Sequence, residues 1–151
     1  MLGKLAPYFV LGMFDTFISA LIAIYWFNVP FRGSWVTLMV ASAMFMVVVL
    51  SLGFFISVLA KSQFAASQIA LLITFLPAFL LSGFLFSIEQ MPIVLQWITR
   101  ILPARYYVSV LKKIFLKGTP AAMLYADLIP LVVFTFVLAL VATRSFHKRL
   151  E

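Results

Sequence analysis

A chain of 151 residues holds one domain, and this one is 66% hydrophobic and 10% charged with a mean hydropathy of +1.20, where a soluble domain is about half apolar and about a quarter charged. So much apolar surface cannot be hidden in a water-facing fold of this size, so the solvent is lipid; the net charge of +7 flanks apolar runs, which suits membrane topology and anionic headgroups and not a nucleic-acid partner. The absence of cysteine excludes disulfides and thiolate metal sites, and the single histidine, His147, cannot build a metal site alone.

In chain order, the run after Lys4 continues to Phe27, too long for a secretory signal core, and reads as a span. A helix needs about 20 mostly apolar residues to cross a bilayer. Four stretches qualify: residues 8–27, 35–59, 64–86 and 128–146. No period-2 alternation points to a barrel. The expected architecture is an all-α membrane protein of four transmembrane helices, one domain over residues 1–151, with a re-entrant and interfacial helix pair between the third and fourth spans.

The joints are legible. "NVPFRGS" (Asn28 to Ser34) is a short turn with Pro30 and Gly33. "AKSQ" (Ala60 to Gln63) is the second. The third is long, residues 87–126. Four spans put both termini on one side. Lys4, Lys61, Arg144, Lys148 and Arg149 lie on that face, and Arg32, Arg100, Arg105, Lys112, Lys113 and Lys117 on the other. Five cations against six leave orientation open, so the third joint is basic for a reason other than orientation.

Within the spans, Asp15 is a carboxylate at membrane depth, which costs roughly 2.5 kcal/mol or more on insertion scales, so it faces a cavity or a partner; its same-face neighbour is Ser19. Gln63, Ser67, Gln68 and Thr74 put polar groups along the third span, as helix glue or as substrate contacts. Pro77 removes one backbone hydrogen bond there, and Ser82 with Gly83 weaken the span further. Gly53 and Ser57 form a small-xxx-small pair that reads as a packing face.

The long joint divides at its prolines. Pro92 to Leu102 is apolar on most sides and stops at Pro103, which biases Leu102 toward extended geometry. Ala104 to Lys117 reads as a second helix ended by Gly118. Arg105, Ser109, Lys112 and Lys113 form one stripe of it, and Tyr107, Leu111, Ile114 and Phe115 the other, the pattern of a helix lying at an interface. The pair is either a passive surface anchor or a plug over a cavity between helices. Glu89 is in reach of Arg100 or Arg105 as an ion-pair partner. No phosphate-cradling loop, Ser/His/Asp set or metal cluster marks an enzyme.

"LLSGFLFSIEQMPIVLQWITRILPARYYVSVLKKIFLKG" (Leu80 to Gly118), with "FNVPFRGSW" (Phe27 to Trp35) and "AKSQFAASQ" (Ala60 to Gln68), resembles the ABC type-2 permeases, the membrane subunits of bacterial ATP-driven exporters, in their multidrug-type branch. One departure is Ser87, where the family usually has proline. The resemblance implies the last four of six spans, so an N-terminal permease half lies outside this chain. It implies both termini cytoplasmic in the bacterial inner membrane, and a second permease copy and an ABC ATPase subunit as partners. It implies that no cofactor is bound by this chain and that ATP and Mg sit on the ATPase. It also carries Glu89, Pro92, Pro103 and Arg105 over to the outer gate, beside Ser82 and Gly83. Asp15, Gln68 and Thr74 are the candidates for the translocation path or for buried polar contacts. The rivals are a non-transport membrane scaffold or assembly subunit and a membrane-embedded enzyme.

Overall fold

The computed structural model describes residues 2–60, 62–118 and 123–147. Lys61, Lys148 and Arg149 lie outside the described residues, as do the side chains of Lys4 and Arg144. Long apolar runs become helices, even across Pro7 near the start of the first and Pro130 near the start of the last. α1 spans Leu2–Tyr25 and α2 Trp35–Leu59. The chain leaves α1 two residues before the expected Phe27. Asn28 adopts φ 50°, a left-handed conformation that asparagine tolerates, and Pro30 cannot continue the helix.

The third span is built in three pieces. α3 (Gln63–Ile69) starts at Ser62, whose Oγ accepts the Ala65 N–H at 3.2 Å. It widens into a π-helical stretch over Ala70–Phe75 and narrows again to α4 (Leu76–Leu81). Pro77 explains the widening. Its ring would clash with the carbonyl four residues back, at Ile73, and one extra residue in the preceding turns relieves the clash. The expected span to Phe86 is therefore corrected: the helix stops at Leu81, because Ser82 caps it and Gly83 turns at φ 86°.

A short 3-10 turn over Ile88–Gln90 leads to α5 (Ile93–Thr99), shorter than the expected run to Leu102. α6 (Pro103–Lys112) follows, continued by a π turn over Lys113–Lys117 that ends on Gly118 at φ 59°. Between them Leu102 is extended (φ −91°, ψ 116°), as a residue before proline should be. α7 runs Tyr125–His147. Leu5–Tyr25, Trp35–Leu59 and Gln63–Leu81 are long and apolar enough to cross a bilayer; the apolar stretch of α7, Tyr125–Val141, is shorter among the described residues.

α7 packs along α2, α6 lies against both, and α1 docks on α2. Leu38 and Ala41 of α2 meet Val110 of α6 and Ile114 of the π turn that continues it, with Ala20 and Leu124, in the buried core. Rings lock this end together: Phe31 lies 4.7 Å from Trp35 and 5.3 Å, edge-on, from Phe115. The α1–α2 turn touches the end of α6 so closely that a Cβ on Gly33 would fall 2.7 Å from the Ile114 Cγ2. The first and third joints thus share one end of the bundle. By contrast, no residue of Gln63–Leu81 is buried.

A polar pocket beside an apolar cavity: the candidate functional site

On α6, Arg105, Ser109 and Lys112 recur at helical spacing and share a face. That face folds inward. The Arg105 Nη1 donates to the Gln96 carbonyl at 3.2 Å and to the Thr99 Oγ1 at 2.6 Å, so it ties α5 to α6 across the Pro103 bend. Thr99 is fully buried, and its hydroxyl donates to the same Gln96 carbonyl at 2.7 Å. Gln96 in turn donates its side-chain amide to the Met91 carbonyl at 2.8 Å. Lys112 reaches back and donates its ammonium to the Gly83 carbonyl, which fixes the turn at the end of α4.

The next residue, Lys113, forms the one ion pair among the described residues, with Asp127 in the first turn of α7. Ser109 donates to the same carboxylate oxygen at 3.0 Å. Asp127 also sits where the helix dipole favours negative charge. The opposite side of α6 is held by Tyr107. Its hydroxyl shares a 2.9 Å hydrogen bond with Ser42, and its ring stacks on Phe45 at 4.3 Å. Burial pushes the Tyr107 phenol above its ordinary range and the Ser42 hydrogen bond offsets part of that, so it stays protonated at neutral pH.

These contacts give the polar stripe of the expected interfacial helix partners within the chain. The stripe of Arg105, Ser109, Lys112 and Lys113 makes internal bonds, while Val110 and Ile114 behind it are fully buried. Arg105, Ser109 and Lys112, without Lys113, line a pocket of about 430 Å³ with Gly83, Glu89 and Asp127. Glu89 lies in this pocket, yet among the described residues no ion pair joins it to Arg100 or Arg105. Arg100 instead stacks over the Trp97 ring at 4.2 Å.

On the other side of the bend lies an apolar cavity of about 640 Å³, walled by Phe45, Phe55, Ile73, Pro103, Phe134 and Leu138. A smaller space of about 220 Å³ lies between the two. It shares Phe45, Ala78 and Ala104 with the apolar cavity and Ser82 and Val108 with the polar pocket.

The fold thus gathers Ser82, Gly83, Glu89 and Arg105 at the polar pocket, and Pro103 and Thr74 at the apolar cavity. Pro92 caps α5 from the outside. Asp15 and Gln68 are not brought in. Both face outward, Asp15 beside Ser19, and no partner meets Asp15 among the described residues. Ser67 bonds its own helix, to the Gln63 carbonyl at 3.0 Å, and joins no neighbouring helix among the described residues. Gly53 and Ser57 also face outward, with open space at Gly53, which removes them as a packing face within this chain. Asp127, Ser109 and Thr99 were missed as a group. The scarcity of acids was the available signal: with four in the chain, Asp127 was worth testing against every lysine on α6.

The model of the ABC-2 type transporter family matches residues 1–116. The chain belongs to the ABC-2 type transporter family. It is 41% identical over 132 residues to the probable multidrug ABC transporter permease YbhS of Escherichia coli K12, covering 87% of this chain and 35% of that protein. It is 30% identical over 148 residues to the probable multidrug ABC transporter permease YbhR of the same strain, covering 98% of this chain and 40% of that one. A 98-residue stretch is 35% identical to ABC transporter G family member 20 of Dictyostelium discoideum, covering 65% of this chain and 13% of that protein. No solved structure matches at comparable stringency. The chain therefore spans little more than a third of the length of the two bacterial permeases. Family membership and the long apolar helices together make it a multi-pass membrane protein of transporter-permease type.

Proposed function

We propose that this chain is the C-terminal four-span part of an ATP-driven exporter permease. It works in the bacterial inner membrane with both termini cytoplasmic, and with a second permease copy it forms the translocation path and the outer gate. The rest of the permease supplies the remaining spans, and a separate ATPase subunit holds ATP and Mg and performs hydrolysis. The relatives named multidrug ABC transporter permeases support the class.

One observation carries the gate reading. The Pro103 bend separates a polar pocket from an apolar cavity, and Arg105 holds its two arms together through Gln96 and Thr99. When the ATPase closes on ATP, the paired permeases shift, and a bent, side-chain-tied element of this kind transmits the shift as a change in angle between α5 and α6. The outward-facing Asp15 of α1 meets a hydrogen-bond donor on another part of the permease, since a bare carboxylate in lipid is costly.

The test is Pro103→Ala in the full permease. Without the proline, Leu102 is freed to become helical and the two short helices merge. The variant reaches the membrane at near-normal levels but exports poorly, with ATPase activity less coupled to substrate. Wild-type export from a well-expressed variant would mean that the bend is a passive anchor.

A further inference from the structure

The three cavities adjoin through shared walls and have a direction. The polar pocket lies at the end of the bundle where α4 stops and α7 begins. From there the apolar cavity runs along α2 from Phe45 to Leu59 and along the third span from Ala78 back to Ile69. Those stretches are about 21 Å and about 14 Å of helix at 1.5 Å per residue. One leaflet of a hydrocarbon core is about 15 Å deep. The volume of about 640 Å³ lies in the ordinary range of ligand sites.

Charge decides what sits at the polar end. Asp127 and Lys113 cancel one another. Arg105 and Lys112 meet only uncharged oxygens: the Gln96 carbonyl, the Thr99 hydroxyl and the Gly83 carbonyl. Glu89 is the remaining carboxylate at the pocket. The lining itself carries two cations, Arg105 and Lys112, and two carboxylates, Glu89 and Asp127; with Lys113 neutralising Asp127 from beside the pocket, the cluster carries a net charge of +1. An apolar shaft about one leaflet deep under a positive mouth fits an anionic amphiphile better than a neutral drug or a cation.

We propose that this chain holds a membrane phospholipid with its anionic phosphate against Lys112 and Arg105. One acyl chain passes Ala78 and Ala104 into the apolar cavity. Glu89, exposed at the mouth, takes a hydroxyl or amine of the headgroup. The site needs only that the chain sits in a bilayer, so it stands or falls independently of export.

The test is lipid retention by the purified chain, released from nanodiscs of equal parts phosphatidylglycerol, phosphatidylcholine and diacylglycerol and read by native mass spectrometry. Wild type retains one phosphatidylglycerol in preference to phosphatidylcholine by about tenfold, the ratio that 1.4 kcal/mol provides. Lys112→Gln brings the two to parity, and Lys112→Arg keeps the preference. Ala78→Phe lowers retention of every lipid by filling the conduit. A phosphatidylglycerol with a photoreactive acyl tail cross-links to Phe55, Thr74 or Leu138 in wild type, which decides the matter even if a variant fails to fold. Equal retention of phosphatidylglycerol and phosphatidylcholine by wild type, or cross-links confined to outward residues such as Phe14 and Leu72, would overturn the proposal.

Discussion

The α2–α6–α7 half and the α3–α4 rod share one chain and one solvent but are held by different means. In the first, Leu38, Val110, Ile114 and Leu131 are essentially inaccessible, Tyr107 stacks on Phe45, and Lys113 pairs with Asp127. In the second, nothing is buried, and Leu72, Ile73 and Phe64 are more than half exposed. Both are equally helical. In lipid a helix satisfies its own backbone and needs no neighbour to form, so helix formation and helix packing separate. Packing follows where small residues, rings and polar pairs are available to make it. The rod's outward faces are left for lipid, or for the rest of the permease.

The largest expected contrast is between two leucines. Leu38→Ala removes a fully packed side chain and should cost about 2–4 kcal/mol, lowering the thermal midpoint of the detergent-purified protein by several degrees. Leu72→Ala should leave it unchanged. Equal shifts would erase the distinction between the halves.

Asp127→Ala tests the polar contribution to the packed half. It strips Ser109 and Lys113 of their shared acceptor. A hydrogen bond to a charged group contributes about 1.5–3 kcal/mol, and partial exposure of Lys113 argues for the lower end. Faster proteolysis within residues 105–127 would register the loss, and Asp127→Asn should recover part of it.

Gly118→Ala tests the join between the first and third joints. Its left-handed φ of 59° penalises any side chain, and the new Cβ would sit 3.0 Å from the Arg32 carbonyl oxygen. A cost of about 1–2 kcal/mol is expected, seen as a lower thermal midpoint and faster amide exchange over residues 28–34.

The smallest effect belongs to the rod. Pro77→Ala lets the π stretch at Ala70–Phe75 relax to an α-helix, so exchange at residues 71–77 slows while the thermal midpoint moves by less than about 0.5 kcal/mol equivalent. A large stability change would mean that the rod is packed after all. In the full permease, Asp15→Leu should weaken assembly and Asp15→Asn should not, because a hydrogen bond and not a charge is the expected need. Unchanged assembly in both would remove Asp15 from any interface.

Local chemistry made much of this protein legible before any packing was known. The apolar runs set the helices, with α2 at Trp35–Leu59 as expected. Pro103 set the bend and the extended Leu102, and Gly118 set the end of the helix that follows. Each is decided by one residue's torsion or by apolar length, which a sequence displays directly. The motif around Leu80 to Gly118 likewise pointed to the family that the comparisons show.

Partner choice was not legible, because it depends on which helices become neighbours. The periodicity of α6 separated its two stripes correctly, but a polar stripe facing headgroups and one facing an internal carboxylate have the same spacing. Only the arrival of α7 beside α6 gave Lys113 to Asp127, and only the fold of residues 82–90 under α6 gave Lys112 to the Gly83 carbonyl. The same holds in reverse for Gly53, Ser57 and Gln68, whose residue types promised packing and whose helices turned them outward. A side chain's chemistry is written in the sequence; the surface it meets is set by how rods of nearly uniform apolar character rotate against one another, and in lipid that rotation is fixed by tertiary contacts alone.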